Sequence, residues 1–138
     1  MMKTFMAGLV VSTLAFGAFQ AIAATGEPAK LADTDKGKIW VDNKGMTLYS
    51  FEKDTADKSA CNDKCAVEWP PLAAAADSKA SGDWTIVTRD DGSKMWAYEG
   101  HPLYTFVDDK KAGDVTGDNK DGFHVVKYFC QHLGLGQI

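Results

Sequence analysis

Two stretches of the chain, GMTLYSFEKD at residues 45–54 and GHPLYTFVDD at residues 100–109, decide how it folds. Both fit the pattern G-x-x-L-Y-x-F-x-x-D at an offset of 55 residues, and a Lys-x-Trp triplet precedes each glycine, at Lys38–Trp40 and Lys94–Trp96. Self-similarity at a fixed offset marks copies of one supersecondary unit. The sequence therefore predicts two repeats, at about residues 36–87 and 92–128.

Each repeat has the pattern of a β-hairpin. In the first, the β-branched and aromatic run Lys38–Asp42 is followed by a turn, Asn43–Gly45, and by a returning strand, Met46–Phe51. Glycine at the end of such a turn supplies the positive φ that the loop requires. The other predicted strands are Trp84–Arg89, Lys94–Tyr98, Pro102–Val107 and Phe123–Tyr128.

One short helix is predicted between the repeats. Ser59 is its candidate N-cap, and the helix runs through Ala66 to Glu68, where Pro70-Pro71 must end it. Two hairpins that are marginal alone become stable when they share one hydrophobic core. The predicted fold class is therefore mainly β: a single small domain of two hairpin-type repeats with one short helix near a cysteine pair.

Length and charge exclude several classes of protein. The 138 residues are 45% hydrophobic, 25% charged and 11% aromatic, which is the profile of one soluble domain. Nineteen acidic residues against fifteen basic ones give a net charge of −4, and the lysines are scattered among carboxylates. Nucleic-acid-binding proteins instead carry a basic patch or stripe, so we expect no nucleic-acid partner.

The N-terminus has the pattern of a signal peptide. Lys3 precedes an apolar run from about Phe5 to Phe19, and Ala21–Ala23 provides a small-x-small cleavage signal. An uncleaved membrane anchor is the alternative, although the run is shorter than the roughly 20 residues that a spanning helix needs. We expect residues 1–24 to be removed, which leaves residues 25–138 as a secreted-repeat β domain in the periplasm or outside the cell.

Export makes a disulfide the expected state of Cys61 and Cys65. A regular helix holds residues four apart with Cβ atoms too distant for the bond, so the turn Cys61–Lys64 should be distorted or non-helical. Cys130 is then left over, as a free thiol or as the link of a disulfide-bonded dimer.

These residues together resemble a bacterial secreted-repeat family described as predicted lipoproteins with a Yx(F/W/Y)xxD motif. The resemblance rests on the two Tyr-x-Phe-x-x-Asp cores, on Ser59–Leu72 (SACNDKCAVEWPPL) and on the loop Gly113–Gly117, and it spans most of residues 36–128. It implies an exported domain of the cell envelope with no assigned activity. The chain has no cysteine near its cleavage signal, so no lipid anchor is expected.

The motif side chains allow a structural and a functional interpretation. Tyr49 and Phe51 share one face of a strand, as do Tyr104 and Phe106. These rings either form the core, with a tyrosine hydroxyl reaching a backbone group, or make an aromatic surface for a flat ligand or a glycan. The structural interpretation is favoured.

The motif aspartates Asp54 and Asp109 are expected to accept backbone N–H bonds and turn the chain. A catalytic carboxylate pair would need a cleft and a raised pKa in addition, and we expect no enzyme.

The leading hypothesis is a non-enzymatic binding or structural module whose partner is an envelope protein or ligand, with no cofactor. The alternative is a periplasmic copper-binding or thiol-redox protein that uses Cys61 and Cys65, because soft thiolates, joined by Met46 or His101, suit Cu(I).

Overall fold

The computed structural model describes residues 27–128. In this range the chain forms seven strands and one helix. In chain order they are β1 (Ala29–Thr34), β2 (Gly37–Asp42), β3 (Tyr49–Phe51), α1 (Lys64–Glu68), β4 (Trp84–Thr88), β5 (Lys94–Tyr98), β6 (His101–Tyr104) and β7 (Phe123–Val125). None of residues 27–128 belongs to a helix long and apolar enough to cross a membrane.

The strands form two antiparallel sheets. β1 pairs with β2, and the other five strands lie in the order β4-β5-β6-β3-β7. The protein is thus mainly β, with one short helix and two repeats, which confirms the predicted fold class. The central pair of the larger sheet is β3 with β6, where Tyr49 lies directly opposite Tyr104. The two copies of the motif therefore meet at the middle of the sheet.

The two repeats exchange main-chain segments. The amide of Leu72, which follows the first repeat's helix, donates to the carbonyl of Leu103 on β6 (2.8 Å), and its carbonyl accepts from Trp96 on β5 (2.8 Å). Val126, in the trailing segment of the second repeat, makes the same two bonds to the first hairpin, to Leu48 (3.1 Å) and to β2 (3.0 Å). Each hairpin is therefore completed by a segment from the other repeat.

This exchange explains why three strands are shorter than predicted. The strands expected at 46–51, 102–107 and 123–128 are regular only at β3, β6 and β7. Beyond those limits the chain stays extended but pairs through single bridges, such as Val41 with Thr47 and Ile39 with Lys127, because the inserted segment separates the hairpin strands there. Strand β1 was not predicted, since its sequence, AKLADT, carries no clear alternation of apolar and polar residues.

The helix begins later than predicted. Ser59 does not cap it; its side chain is buried, with Oγ 2.6 Å from the hydroxyl of Tyr104. Asp63 has a φ of +54°, a left-handed conformation that interrupts any helix before Lys64. The turn from Cys61 is consequently non-helical, as the expected disulfide requires.

Both faces of the larger sheet are apolar. On β5, Met95 and Ala97 belong to the main core, whereas the alternate residues Trp96 and Tyr98 belong to a second cluster. The buried members of the main core are Ile39, Val41, Tyr49, Cys61, Trp69, Val87, Met95, Ala97, Tyr104, Phe106, Phe123 and Val125. The second cluster, which we call the aromatic face, buries Ala29, Trp40, Leu48, Trp84, Tyr98 and Leu103.

The main core is built on stacked rings. Trp69 stacks against Phe106 at a centroid distance of 4.2 Å and against Phe123 at 3.8 Å. Phe51 stacks in turn on Phe123 at 4.3 Å. A Cβ at Gly117 would lie 2.6 Å from the Trp69 ring, so only glycine lets the second repeat's loop approach the stack this closely.

Candidate functional site

The motif tyrosines and aspartates pair between the repeats. The hydroxyl of Tyr49, in the first repeat, donates to Asp109 of the second (2.7 Å), and the hydroxyl of Tyr104 donates to Asp54 of the first (2.7 Å). Neither tyrosine hydroxyl donates to a backbone group; instead, the amide of Gly117 donates to the Tyr49 hydroxyl (3.2 Å). The motif therefore works as a reciprocal clasp, in which each repeat supplies one donor and one acceptor to the other.

Each carboxylate of the clasp also holds the loop that follows it. Asp54 accepts the amide of Ala60 (2.6 Å), and Asp109 accepts both the amide and the hydroxyl of Thr116 (2.9 and 2.6 Å). These bonds match the expectation that the aspartates turn the chain by accepting backbone N–H groups. The same carboxylates thus order the loops and join the repeats.

Burial keeps the clasp tyrosines neutral. Burial raises the pKa of Tyr49 well above its ordinary range, and the hydrogen bond to the Asp109 carboxylate raises it further. Burial likewise raises the pKa of Tyr104, with the Asp54 carboxylate acting in the same direction and Ser59 opposing it. Burial also raises the pKa of Asp54, although the Ala60 amide and the Tyr104 hydroxyl oppose that shift.

The sequence interpretation missed a buried cation beside this clasp. Arg89, the only arginine in the chain, is 6% exposed. Its Nη2 donates to the carbonyl of Cys61 (2.9 Å), and its Nη1 lies 3.4 Å from the hydroxyl of Ser59. Its charge also acts to lower the pKa of Asp54. Its position as the last residue of a predicted strand was the one available signal.

Cys61 and Cys65 form the predicted disulfide, with their Cα atoms 5.2 Å apart. Cys61 is fully buried in the main core and Cys65 is partly buried against it. The two sulfur atoms that a copper site would need as thiolates are thus bonded to each other. Cys130 and the proposed intermolecular link lie outside the described residues.

The other candidate metal ligands occupy equivalent places in the repeats. Met46 is half-buried after the first turn, where its amide donates to Asp42 (2.9 Å). His101 is exposed at the start of β6, opposite Tyr98. In residues 27–128, no three His, Cys, Asp or Glu side chains are arranged to hold a metal ion.

A cavity of about 320 Å³ opens on the aromatic face. Its walls come from both ends of the described chain, from the turn before β4 and from the aromatic cluster. The lining residues are Glu27, Leu31, Trp40, Ser81, Gly82, Asp83, Trp84, Tyr98 and Tyr128. Its volume lies within the range of about 300–1,000 Å³ that is common for ligand pockets. Among the described residues, two carboxylates and no basic side chain line it.

The rings beside this cavity pack tightly on one another. Trp40 lies 5.0 Å from both Trp84 and Tyr98, and Trp84 lies 4.9 Å from Tyr98. Within residues 27–128 the buried indole N–H of Trp40 has no hydrogen-bond partner of good geometry, although its interaction with the Tyr98 hydroxyl acts to lower the pKa of that group. An unpaired buried donor is uncommon in native proteins, and this one belongs to a residue of the cavity wall.

A second cavity, of about 510 Å³, shares Glu27 with the first. Trp96 and Leu72, both partly buried, line its apolar side. Its polar lining includes Asp42, Asn43, Lys44 and Ser78. The two cavities, called the aromatic cavity and the Trp96 cavity below, therefore adjoin at Glu27.

The sequence interpretation placed a possible aromatic binding surface on the motif rings. In the structure Tyr49, Tyr104 and Phe106 are buried in the main core, and Phe51 packs partly exposed against it. The cavity-lining rings lie on the opposite side of the sheet. Strand β5, Lys94–Tyr98, is apolar at four of its five positions. Because successive side chains of a strand point to opposite faces of the sheet, this run was the signal for a second apolar face.

Comparison with known proteins identifies the repeats independently. The family model for a secreted repeat of unknown function matches residues 30–73 and 85–126, one match for each repeat. No curated protein and no solved structure matches the chain. The two matches together cover more than half of the chain and include both copies of the motif that forms the reciprocal clasp. The protein belongs to this family of secreted repeats.

Proposed function

We propose that the protein is a non-enzymatic binding module of the periplasm or cell envelope, and that its ligand occupies the aromatic cavity. The observation that carries the proposal is the cavity itself. Polar groups from Ser81 and Asp83 line it together with four aromatic rings, those of Trp40, Trp84, Tyr98 and Tyr128. Ligand sites usually combine aromatic side chains with a few placed polar groups, and here the accessible part of the lining is mainly polar because the rings of Trp40 and Trp84 are buried.

The use of the motif residues supports a binding role over catalysis. Each clasp carboxylate is already bonded to a tyrosine hydroxyl and to a loop amide. A general acid or base must reach a substrate proton, and neither Asp54 nor Asp109 lines either of the two cavities.

The proposed location rests on the N-terminal pattern and on the disulfide. Disulfides persist in oxidising compartments such as the bacterial periplasm, and the Cys61–Cys65 bond fits that setting. The acidic balance of the chain favours no nucleic-acid partner. Fractionation of cells should find a chain that starts near Ala24 in the soluble envelope fraction; a membrane-bound species that keeps residues 1–23 would contradict the proposal.

Native mass spectrometry of protein released from the envelope tests the binding role. We expect a fraction of the wild-type protein to carry a bound small molecule. Ser81→Arg, at an exposed residue of the cavity wall, should abolish the adduct by filling the cavity. Thr88→Arg is the matched control, because Thr88 is exposed on β4 and lines neither cavity. Absence of any adduct, or an adduct that Ser81→Arg leaves unchanged, would contradict a ligand in this cavity.

A thiol-redox role is the second candidate, and one observation favours it. Cys65 is partly exposed, so an external thiol could reach its sulfur. Thiol–disulfide exchange requires such access. Reduction of the bond in a glutathione buffer near the potential of the compartment, with the fold retained, would support this role and open Cys61 and Cys65 to Cu(I).

A further inference from the structure

We infer, resting on the proposed function, that the ligand is a neutral oligosaccharide that lies across the aromatic cavity and the Trp96 cavity. Both cavities are lined by Glu27, and an extended molecule that passes this side chain would occupy both. Three of the chain's four tryptophans, Trp40, Trp84 and Trp96, line them. A chain of linked rings fits an elongated pair of cavities better than a single compact ligand does.

The aromatic side of the groove suits the faces of sugar rings. An aromatic ring carries negative charge on its faces and positive charge at its edges. The C–H groups on one face of a pyranose are weak donors toward such a ring. Trp96 and Tyr128 remain partly exposed on the aromatic face, one in each cavity, and so present ring surface to a ligand.

The polar side of the groove suits hydroxyl groups. Asp83 and Ser81 line one cavity, and Asn43 and Ser78 line the other. Carboxylate groups accept hydrogen bonds from sugar hydroxyls, and amide and hydroxyl groups both accept from them and donate to them.

Charge and ring geometry argue against two other ligand classes. An anion would be repelled by Glu27 and Asp83 in the aromatic cavity, where none of residues 27–128 adds a basic side chain to the lining; Lys44 lines the Trp96 cavity. The carboxylates of Glu27 and Asp83 would attract an alkylammonium ion, but quaternary ammonium ligands are typically held in an aromatic cage, with several ring faces around one empty centre. Here Trp40, Trp84 and Tyr98 lie only 4.9–5.0 Å apart and fill that centre with one another.

The test is a titration of the full mature chain with cellotetraose, chitotetraose and maltotetraose, followed by the indole N–H signals in ¹H–¹⁵N spectra. We expect at least one tetrasaccharide to bind with a Kd below about 1 mM. The matching monosaccharide should bind at least about tenfold more weakly, since it fills one cavity only. Choline chloride serves as the cationic probe.

Two variants locate the site. Asp83→Asn keeps the shape of an exposed side chain and should weaken binding of the tetrasaccharide about tenfold. Trp96→Leu, in the other cavity, should weaken it to the level of the monosaccharide. Asp108→Asn is the matched control, because Asp108 is exposed and lines neither cavity, and it should bind as the wild type does.

Each contrary outcome identifies what has failed. No binding of any tetrasaccharide at about 10 mM, or tighter binding of choline, overturns the oligosaccharide inference. An adduct lost in Ser81→Arg would then still support the proposed binding function. Tetrasaccharide binding that Trp96→Leu leaves unchanged overturns the span across both cavities. If no adduct and no tetrasaccharide binding is found, the proposed function and this inference both fail.

Discussion

The reciprocal clasp gives the sharpest test of how this fold is held together. Tyr49→Phe removes one oxygen and leaves the ring in place against Trp69, 5.3 Å away between centroids. The missing hydroxyl donated to Asp109 (2.7 Å) and accepted from the amide of Gly117 (3.2 Å). Asp109 keeps its two bonds from Thr116, so the loop after the second motif should remain ordered.

The expected loss of stability follows from those two bonds. A hydrogen bond to a charged group contributes about 1.5–3 kcal/mol, and a buried amide left without an acceptor costs about 1 kcal/mol or more. Tyr49→Phe should therefore lower the free energy of unfolding by about 3 kcal/mol. For a domain of this size that corresponds to a Tm roughly 15 °C lower. Tyr128→Phe, at a partly exposed ring of the aromatic face, is the control and should change stability by less than about 0.5 kcal/mol.

Double-mutant cycles in urea show whether the pairing crosses between repeats. Tyr49→Phe with Asp109→Asn should give a coupling energy of about 1 kcal/mol or more, because the two groups share one bond. Tyr49→Phe with Asp54→Asn combines the same residue types within one repeat, where no bond joins them, and should be additive within about 0.5 kcal/mol. Additivity in the first pair together with coupling in the second would refute the reciprocal clasp.

The same tyrosines set the alkaline limit of stability. Their pKa values in the folded state are raised by burial, so their stabilising contribution is complete below the unfolded-state pKa near 10. Above that pH the unfolded chain loses protons that the folded chain keeps, and each tyrosine lowers the unfolding free energy by about 1.4 kcal/mol per pH unit. The Tyr49→Phe/Tyr104→Phe variant should show a flatter decline above pH 10 in the same urea titrations.

Three further perturbations follow from the packing. Phe106→Ala should cost about 3–5 kcal/mol in urea unfolding, and Phe51→Ala should cost less because its ring is partly exposed; equal costs would contradict the stated burial. Without reductant, a maleimide should leave Cys61 and Cys65 unmodified, and Cys61→Ser should lower stability by about 2 kcal/mol for so short a loop. Residues 25–80 and 81–138, prepared separately, should lack β structure by circular dichroism and regain it on mixing, because each hairpin is completed by the other repeat; a half that folds alone would contradict the exchange.

Much of the scaffold could be predicted because its signals are local. The turn glycine Gly45 has a φ of +86°, and Glu99 and Gly100 both have positive φ in the two-residue turn between β5 and β6. These residues fix the hairpins whatever the rest of the chain does. The geometry of a four-residue cysteine spacing likewise required a non-helical turn, and Asp63 provides it.

The cross-repeat pairing could not be predicted from the pattern. A motif that contains both a tyrosine and an aspartate is equally consistent with a bond inside one repeat and with an exchange between two. Three-dimensional register decides between them: Tyr49 and Tyr104 face each other across β3 and β6, and each hydroxyl meets the carboxylate of the other repeat. Arg89 was missed for a similar reason, because its partners come from a distant loop.

The cavities lie where equivalent positions of the two repeats carry different residue types. Equivalent positions of the clasp carry the same residue types. Their side chains are hydrogen-bonded to one another and are therefore not available to a ligand. On the aromatic face Trp40 and Trp96 are still equivalent, but a neighbouring pair of positions is not: Trp84 lies opposite Tyr98 in the second repeat, where the first has Ala29 opposite Asp42. The second repeat thus has two large rings at this place, and the first has a small side chain and a carboxylate. This difference leaves a concave space between the repeats that both apolar and polar groups line. The symmetric clasp residues therefore build the fold, and the asymmetric positions beside Trp40 and Trp96 on the aromatic face are those at which specificity for the proposed ligand should be sought.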